Sequence, residues 1–403
     1  MDSLIARRRL IAGGTALGIA SGVAVAATRP AQALGVVPSS FNHATKSVFD
    51  FGAVGDGVTD DSAAFIAALN FSASQGQVVL VPGFNYAIKE PIVWSSSNDI
   101  GKPWGFISQG ATLLSRITTG RPVISLTSNN TVRYFQLTGG MKIQGGGGES
   151  DGLHIYALGG SVFFYNAMID GLSVEAVGKD GLVFEGNVFE TTIMSSYFQD
   201  CGQNGATFAQ SHGGVCSAIL AVGCFFNQNG NYGLCATNYD AYYGGTTDVR
   251  VYGGYCRDNQ SYGFYYNNGT SGGIEQVGFE NNCKSMGPGS ANGAHVYGLV
   301  AVMMRACSGY NEYGGATYLL NGWFSGLTYL EGCGQAAGGA MAATGMSRLV
   351  NINGSNTGHV LMVACNGGVN VASGTACSWE AQNCSGTSPL GTLSVRATVT
   401  SST

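Results

Sequence analysis

The sequence predicts an all-β chain built as a solenoid of stacked parallel strands. Three observations predict it. Glycine is abundant, 64 of 403 residues, while 10% of residues are charged and 45% hydrophobic. Together with plentiful Asn, Val, Phe and Tyr, this composition suits many short strands joined by tight turns. Second, a short motif recurs: DGLHIY (151–156), DGLVFE (180–185), NGATFA (204–209), YGLCAT (232–237), YGFYYN (262–267) and NGAHVY (292–297). Its glycines stand 29, 24, 28, 30 and 30 residues apart, the period of a repeat array. Third, the residues one and three after each glycine are apolar or small (Leu153 and Ile155, Leu182 and Phe184, Ala206 and Phe208), while those two and four after it are mixed. That period of two gives each unit a strand with one buried face.

The elements follow in chain order. Residues 1–33 read as an export leader: Arg7-Arg8-Arg9-Leu10-Ile11, an Ala/Gly-rich apolar run, and Ala31-Gln32-Ala33 as a small-x-small cleavage site. The paired arginines suggest the twin-arginine route, which exports folded proteins and places the mature chain in the periplasm or beyond. No stable membrane anchor is expected, because the Gly content and the cleavage site argue against a retained span. Removal of the leader takes away Asp2 and four arginines and lowers the formal charge from −5 by three, to −8. Such a surface is a poor partner for nucleic acid.

Residues 34–100 read as an N-terminal cap with the first strands, and 101–403 as the solenoid. In GDGVTDDSAAFIAALN (55–70), Thr59 is the expected helix N-cap, with Asp60 and Asp61 in the first turn of an apolar helix. The acids are therefore expected to cap the open end of the strand stack rather than to bind metal or catalyse. No D-x-D-x-D-G loop points to calcium. QVVLVPGFNYAI (77–88) supplies the first two strands.

A second ladder, SSYFQDC (195–201), GCFFNQN (223–229), GYCRDN (254–259) and GFENNC (278–283), gives another strand per coil. Each strand runs into an Asn/Asp turn, residue types that tolerate the left-handed backbone of a turn, and Asn can bond to adjacent coils. All eleven cysteines fall between 201 and 384. No Cys/His spacing suggests zinc. Cys201, Cys283, Cys307 and Cys333 are expected to form a stacked row of buried thiols, and no cofactor or metal is expected.

VFDFGAVGDGVTDDSAAFIAALN followed by VVLVPGFNYAI resembles the amino-terminal signature of the pectate-lyase-like superfamily. It looks like the branch of rhamnogalacturonases, epimerase-like proteins and phage tailspike depolymerases. The resemblance implies a right-handed parallel β-helix with a capping helix, and a carbohydrate polymer lying along its outside. The scaffold hosts hydrolases, lyases, epimerases and pure binders, so activity must come from the site. The polygalacturonase motifs N-T-D and R-I-K are missing, and Ser211-His212-Gly213-Gly214 only faintly echoes G-H-G, so no catalytic residue carries over.

Three longer connections between the ladders hold the candidate chemistry: EGNVFETT (185–192), AQSHGGVCS (209–217) and TNYDAYYGGTTD (237–248). They carry the candidate catalytic residues Glu190, His212, Asp240 and Asp248. Glu185, Tyr242, Tyr243, Arg250, Tyr255 and Arg257 are the candidate substrate-binding residues. Glycoside hydrolysis needs two carboxyl groups, for which Glu190 and Asp240 are placed two coils apart, with Asp248 or Glu185 as replacements. Elimination needs a base, His212, Tyr242 or Tyr243, and a cation, Arg250 or Arg257. Each has a plain structural alternative: solvated loop acids, a turn histidine, or ordinary Arg250–Asp248 and Arg257–Glu280 ion pairs. His154 and His295, two residues after their glycines, are expected to be plain surface residues. The expected function is an exported polysaccharide-degrading hydrolase or lyase, monomeric or trimeric, and the alternative is a non-catalytic adhesion or carbohydrate-binding β-helix.

Overall fold

The structure is a computed structural model. It describes residues 46–282, apart from 97, 158, 212–213, 239–245, 268–271 and 281, and then segments between 291 and 399. The expected leader, residues 1–33, lies outside the described residues.

The chain winds as a parallel β-solenoid. One side is an eleven-stranded sheet with one strand per coil, from Ile92–Ser96 to Gly368–Val371. The other sides belong to a 25-stranded sheet. One coil shows the plan: Leu182–Gly186 in the first sheet, then Val188–Phe189, Thr192–Met194 and Tyr197–Gln199 in the second. The corners between these strands fall at Glu190, Ser195 and Asp200, with φ of 51°, 48° and 52°.

The glycine ladder is a matter of space. A Cβ on Gly181 would lie 2.6 Å from the Gly205 carbonyl oxygen, and one on Gly205 the same distance from that of Gly233. Coils stack too closely there for any side chain. The register is the expected one: Leu182, Val183 and Phe184 stand opposite Ala206, Thr207 and Phe208. Phe184 and Phe208 are fully buried, their rings stacked at 5.1 Å. The second ladder also aligns, with Tyr197, Phe198 and Gln199 opposite Phe225, Phe226 and Asn227. At its end Asn229, Asn259 and Asn282 form a fully buried row. The Asn229 side-chain amide donates to Asn259 Oδ1 at 2.8 Å, and that of Asn259 to Asn282 Oδ1 at 2.7 Å. Asn282 closes the row by donating back to the Cys256 carbonyl, so each buried amide has a partner on a neighbouring coil.

The capping helix spans Ser62–Gln75 and ends on Gly76 in the left-handed region. Its Phe65 packs against Tyr86 and Phe106 of the first coils. Its start corrects the expectation for Thr59. The N-cap position is Asp61, and Thr59 belongs to the exposed strand Asp56–Asp60. The acids do organise this end. Asp56 accepts from the Val58 and Thr59 amides, Asp60 from those of Ser62 and Lys89, and buried Asp61 from those of Val54 and Gly55. Val78–Val81 and Asn85–Ile88 are both strands, each pairing with the following coil rather than with the other.

The thiol row is also partly corrected. Cys307 and Cys333 do stack, with Cys365 in the same row, since Ala306 and Gly332 donate in turn to the next coil. Cys201 instead heads the asparagine row, its amide donating to Asn229 Oδ1. Cys283 lies outside the described residues. The eight described cysteines are all buried thiols.

Candidate functional site

On the eleven-stranded sheet, alternation points Leu153 and Ile155 inward and leaves His154 and Tyr156 facing out. Asp151 precedes the ladder glycine and sits at the turn into this strand. Glu185 lies on the next coil, opposite Tyr156. The outward imidazole therefore falls between two carboxylates. Nε2 of His154 is 3.2 Å from Glu185 Oε2, and Nδ1 is 3.4 Å from Asp151 Oδ2. The three side chains are 11–22% exposed, shielded from bulk solvent yet reachable.

The electrostatics follow from this sandwich. Burial opposes a charge on His154, but the hydrogen bonds and charges of Asp151 and Glu185 overcome it and raise its pKa to about 9. At neutral pH the ring is an imidazolium with a proton on each nitrogen. Burial, and then the Glu185 charge, push the Tyr156 phenol up as well, so it keeps its proton. Neighbouring Asp180 is raised by burial first, while Thr207 and Asn204 bond to it and hold it down. Asp151 is tied to the scaffold, accepting from the Ser150 hydroxyl and the Asp180 amide. It orients His154 from the scaffold side.

Four register steps along the same outward row, from His154 through Val183, Thr207 and Cys235, comes Tyr265. Its ring stacks on that of Tyr232 at 4.7 Å, with Tyr262 alongside. At about 4.8 Å per coil, the tyrosines stand roughly 19 Å from the histidine.

The structure divides the residues expected from the sequence among three parts of the coil. Glu185 joins the histidine cluster. Glu190 and Asp248 share one corner, both opposite Ala218, and so lie two coils or about 10 Å apart along the stack. Glu190 is exposed, and Asp248 Oδ1 accepts from Arg250 Nε at 2.6 Å, the ion pair foreseen as the structural alternative. Tyr255 and Arg257 lie beyond the next corner, where Arg257 pairs with Asp258 at 2.9 Å. They stand apart from the Glu190 corner. His212, Asp240, Tyr242 and Tyr243 lie outside the described residues. Among the described residues no group of His, Cys, Asp and Glu converges as a metal site.

Sequence reasoning passed over His154 and Asp151. The reading of His154 as a plain surface residue is corrected by its two acid partners. A signal was available: the ladder register, carried one step further, sets Glu185 diagonally beside His154.

Residues 45–136 match the family model described as rhamnogalacturonase A/epimerase, pectate lyase-like. No curated protein matches the chain in sequence. Solved structures share the fold of this chain at low identity. ORF18 of Geobacillus virus E2 aligns at TM-score 0.53 and 16% identity, over 85% of this chain and 61% of that one. The mannuronan C-5 epimerase AlgE4 A-module of Azotobacter vinelandii gives 0.52 and 17%, over 83% and 97%. The enzymatically active domain of tailspike protein 2 from bacteriophage CBA120 gives 0.54 and 14%, over 80% and 47%. This chain thus spans under two thirds of the viral protein and under half of the tailspike chain.

Proposed function

We propose that this chain is an exported enzyme that cleaves a polysaccharide, with His154 as proton donor and Glu185 as base. The observation that carries the reading is the half-buried imidazolium between Asp151 and Glu185 on the outward face of the solenoid. Fold neighbours named as an epimerase module and as the active domain of a tailspike add a coarse preference for glycan chemistry. The leader read in residues 1–33 supplies the export.

Both candidate reactions can draw on this acid–base pair. The imidazolium protonates the glycosidic oxygen as its bond to carbon breaks. The Glu185 carboxylate takes a proton, either from a water that attacks the anomeric carbon or from the carbon beside a uronate carboxyl group. The first is hydrolysis and the second elimination. Asp151 holds the ring in place. Glu190, Asp248 and Arg250 stand at a separate corner, outside this acid–base pair.

The test is incubation with a polysaccharide panel, following reducing ends and the ultraviolet absorbance of an unsaturated product. Reducing ends alone indicate hydrolysis, and both signals indicate elimination. His154→Gln and Glu185→Gln should each lower turnover about 10²-fold or more. Wild-type turnover in both variants, or glycan binding without any product, would refute the assignment and favour a binding module.

A further inference from the structure

We infer that the corner carrying Glu190 is a second glycan-contact surface, separate from the His154 site, that holds a polymer against the solenoid. The inference begins with three partly exposed aromatic rings on adjacent coils. Phe163 stacks on Tyr165 at 5.2 Å, and Phe189 of the next coil lies 5.7 Å and 5.4 Å from them. From the preceding coil, the exposed Arg133 guanidinium sits 5.5 Å over the Tyr165 ring.

The row does not stay apolar. Opposite Phe189 stands Ser217, and opposite that Thr247, whose hydroxyl donates to the Ser217 hydroxyl at 2.8 Å. Exposed Glu190 follows Phe189 directly, on a left-handed corner that turns away from the strand. A buried-core role does not explain these rings, because the inward neighbours Val132, Phe164 and Val188 already fill that side.

What fits such a row is decided by its alternation. A protein partner calls for a continuous apolar patch, whereas here rings give way within one coil step to hydroxyls and a carboxylate. A pyranose has the matching pattern: an apolar C–H face for the rings and a rim of hydroxyls for Glu190, Ser217 and Thr247. The coil spacing of about 4.8 Å is also comparable to the advance of one sugar residue along an extended chain. The occupant we assign is therefore a polysaccharide strand running along the stack. This surface needs no reaction and stands whether or not His154 proves to be the acid.

The full chain should be run by native affinity electrophoresis through gels containing alginate, polygalacturonate, xylan or hydroxyethyl cellulose. We expect retardation by at least one polymer. Tyr165→Ala should weaken that retardation at least threefold, and Glu190→Gln, an exposed change with no core to disturb, should weaken it about twofold. His154→Gln should keep it while losing turnover. Wild-type retardation in both corner variants would overturn the inference, as would no retardation of the wild type by any of the four polymers. A mass measurement in which Tyr165→Ala dissociates a dimer would assign the surface to a second copy of the chain and overturn it equally.

Discussion

Two groups of acids in this molecule look alike in composition and differ in what their oxygens face. At the amino-terminal end, Asp56, Asp60 and Asp61 all turn toward backbone amides. On the first two coils of the glycine ladder, Asp151 and Glu185 turn toward one imidazole. The first group satisfies donors that a strand edge and a helix start would otherwise leave open, and it blunts the edge strand against unwanted pairing. The second group holds a proton where a ligand can reach it. The number of carboxylates does not tell the two groups apart, but the identity of the group they face does.

The largest expected effect tests that distinction through activity. Glu185→Gln should cut turnover about 10²-fold or more at unchanged fold, whereas Asp60→Asn should retain turnover per folded molecule. Loss in both variants would merge the two groups and break the comparison. Next comes stability. Asp61→Ala strands the part-buried amide of Val54 and the buried amide of Gly55 and should cost about 1–3 kcal/mol in denaturant unfolding, without touching turnover per folded molecule.

The two groups should also fail at opposite ends of the pH scale. Hydrogen bonds from Val58 and Thr59 hold Asp56 below its ordinary pKa of 3.8. Asp60 is held low too: its burial acts against this, but its bonds to Ser62 and Lys89 prevail. Their stabilisation is present above that ordinary value and is lost as pH falls through the lowered one. His154 is raised from 6.5 to about 9, so its stabilisation is complete below 6.5 and is lost as pH rises through 9. Thermal melts of wild type and His154→Gln should converge in alkali, and a gap that widens there would reverse the sign. The smallest effect concerns Thr59, which is exposed and not the N-cap. Thr59→Ala should change stability by no more than about 0.5 kcal/mol, and a loss near 1 kcal/mol would restore the capping role read from sequence.

The comparison also marks what was legible beforehand. The ladder glycines and their inward partners, such as Phe184 and Phe208, could be read because steric exclusion and strand alternation both leave strict periods. The cap could be read as a cap but not in register, because Thr59, Asp60 and Asp61 are three good N-cap types in succession and only packing chooses among them. The corners were hidden: Tyr134, Asn166, Glu190 and Asp248 take left-handed φ without the glycine that usually announces it. That is why Glu190 read as part of a long connection. The histidine cluster was hidden for another reason. Its partners are 3 and 31 residues away, and the distant one is brought close only by the coil stacking.

The central claim is that Asp151 and Glu185 keep a proton on His154. An NMR titration of the five histidines, with the His154 signal assigned by its loss in His154→Gln, tests it without need of a substrate. The account predicts a midpoint near pH 9 that drops toward the ordinary value of 6.5 in Asp151→Asn and in Glu185→Gln. A wild-type midpoint at or below 6.5, unmoved by either substitution, would contradict it.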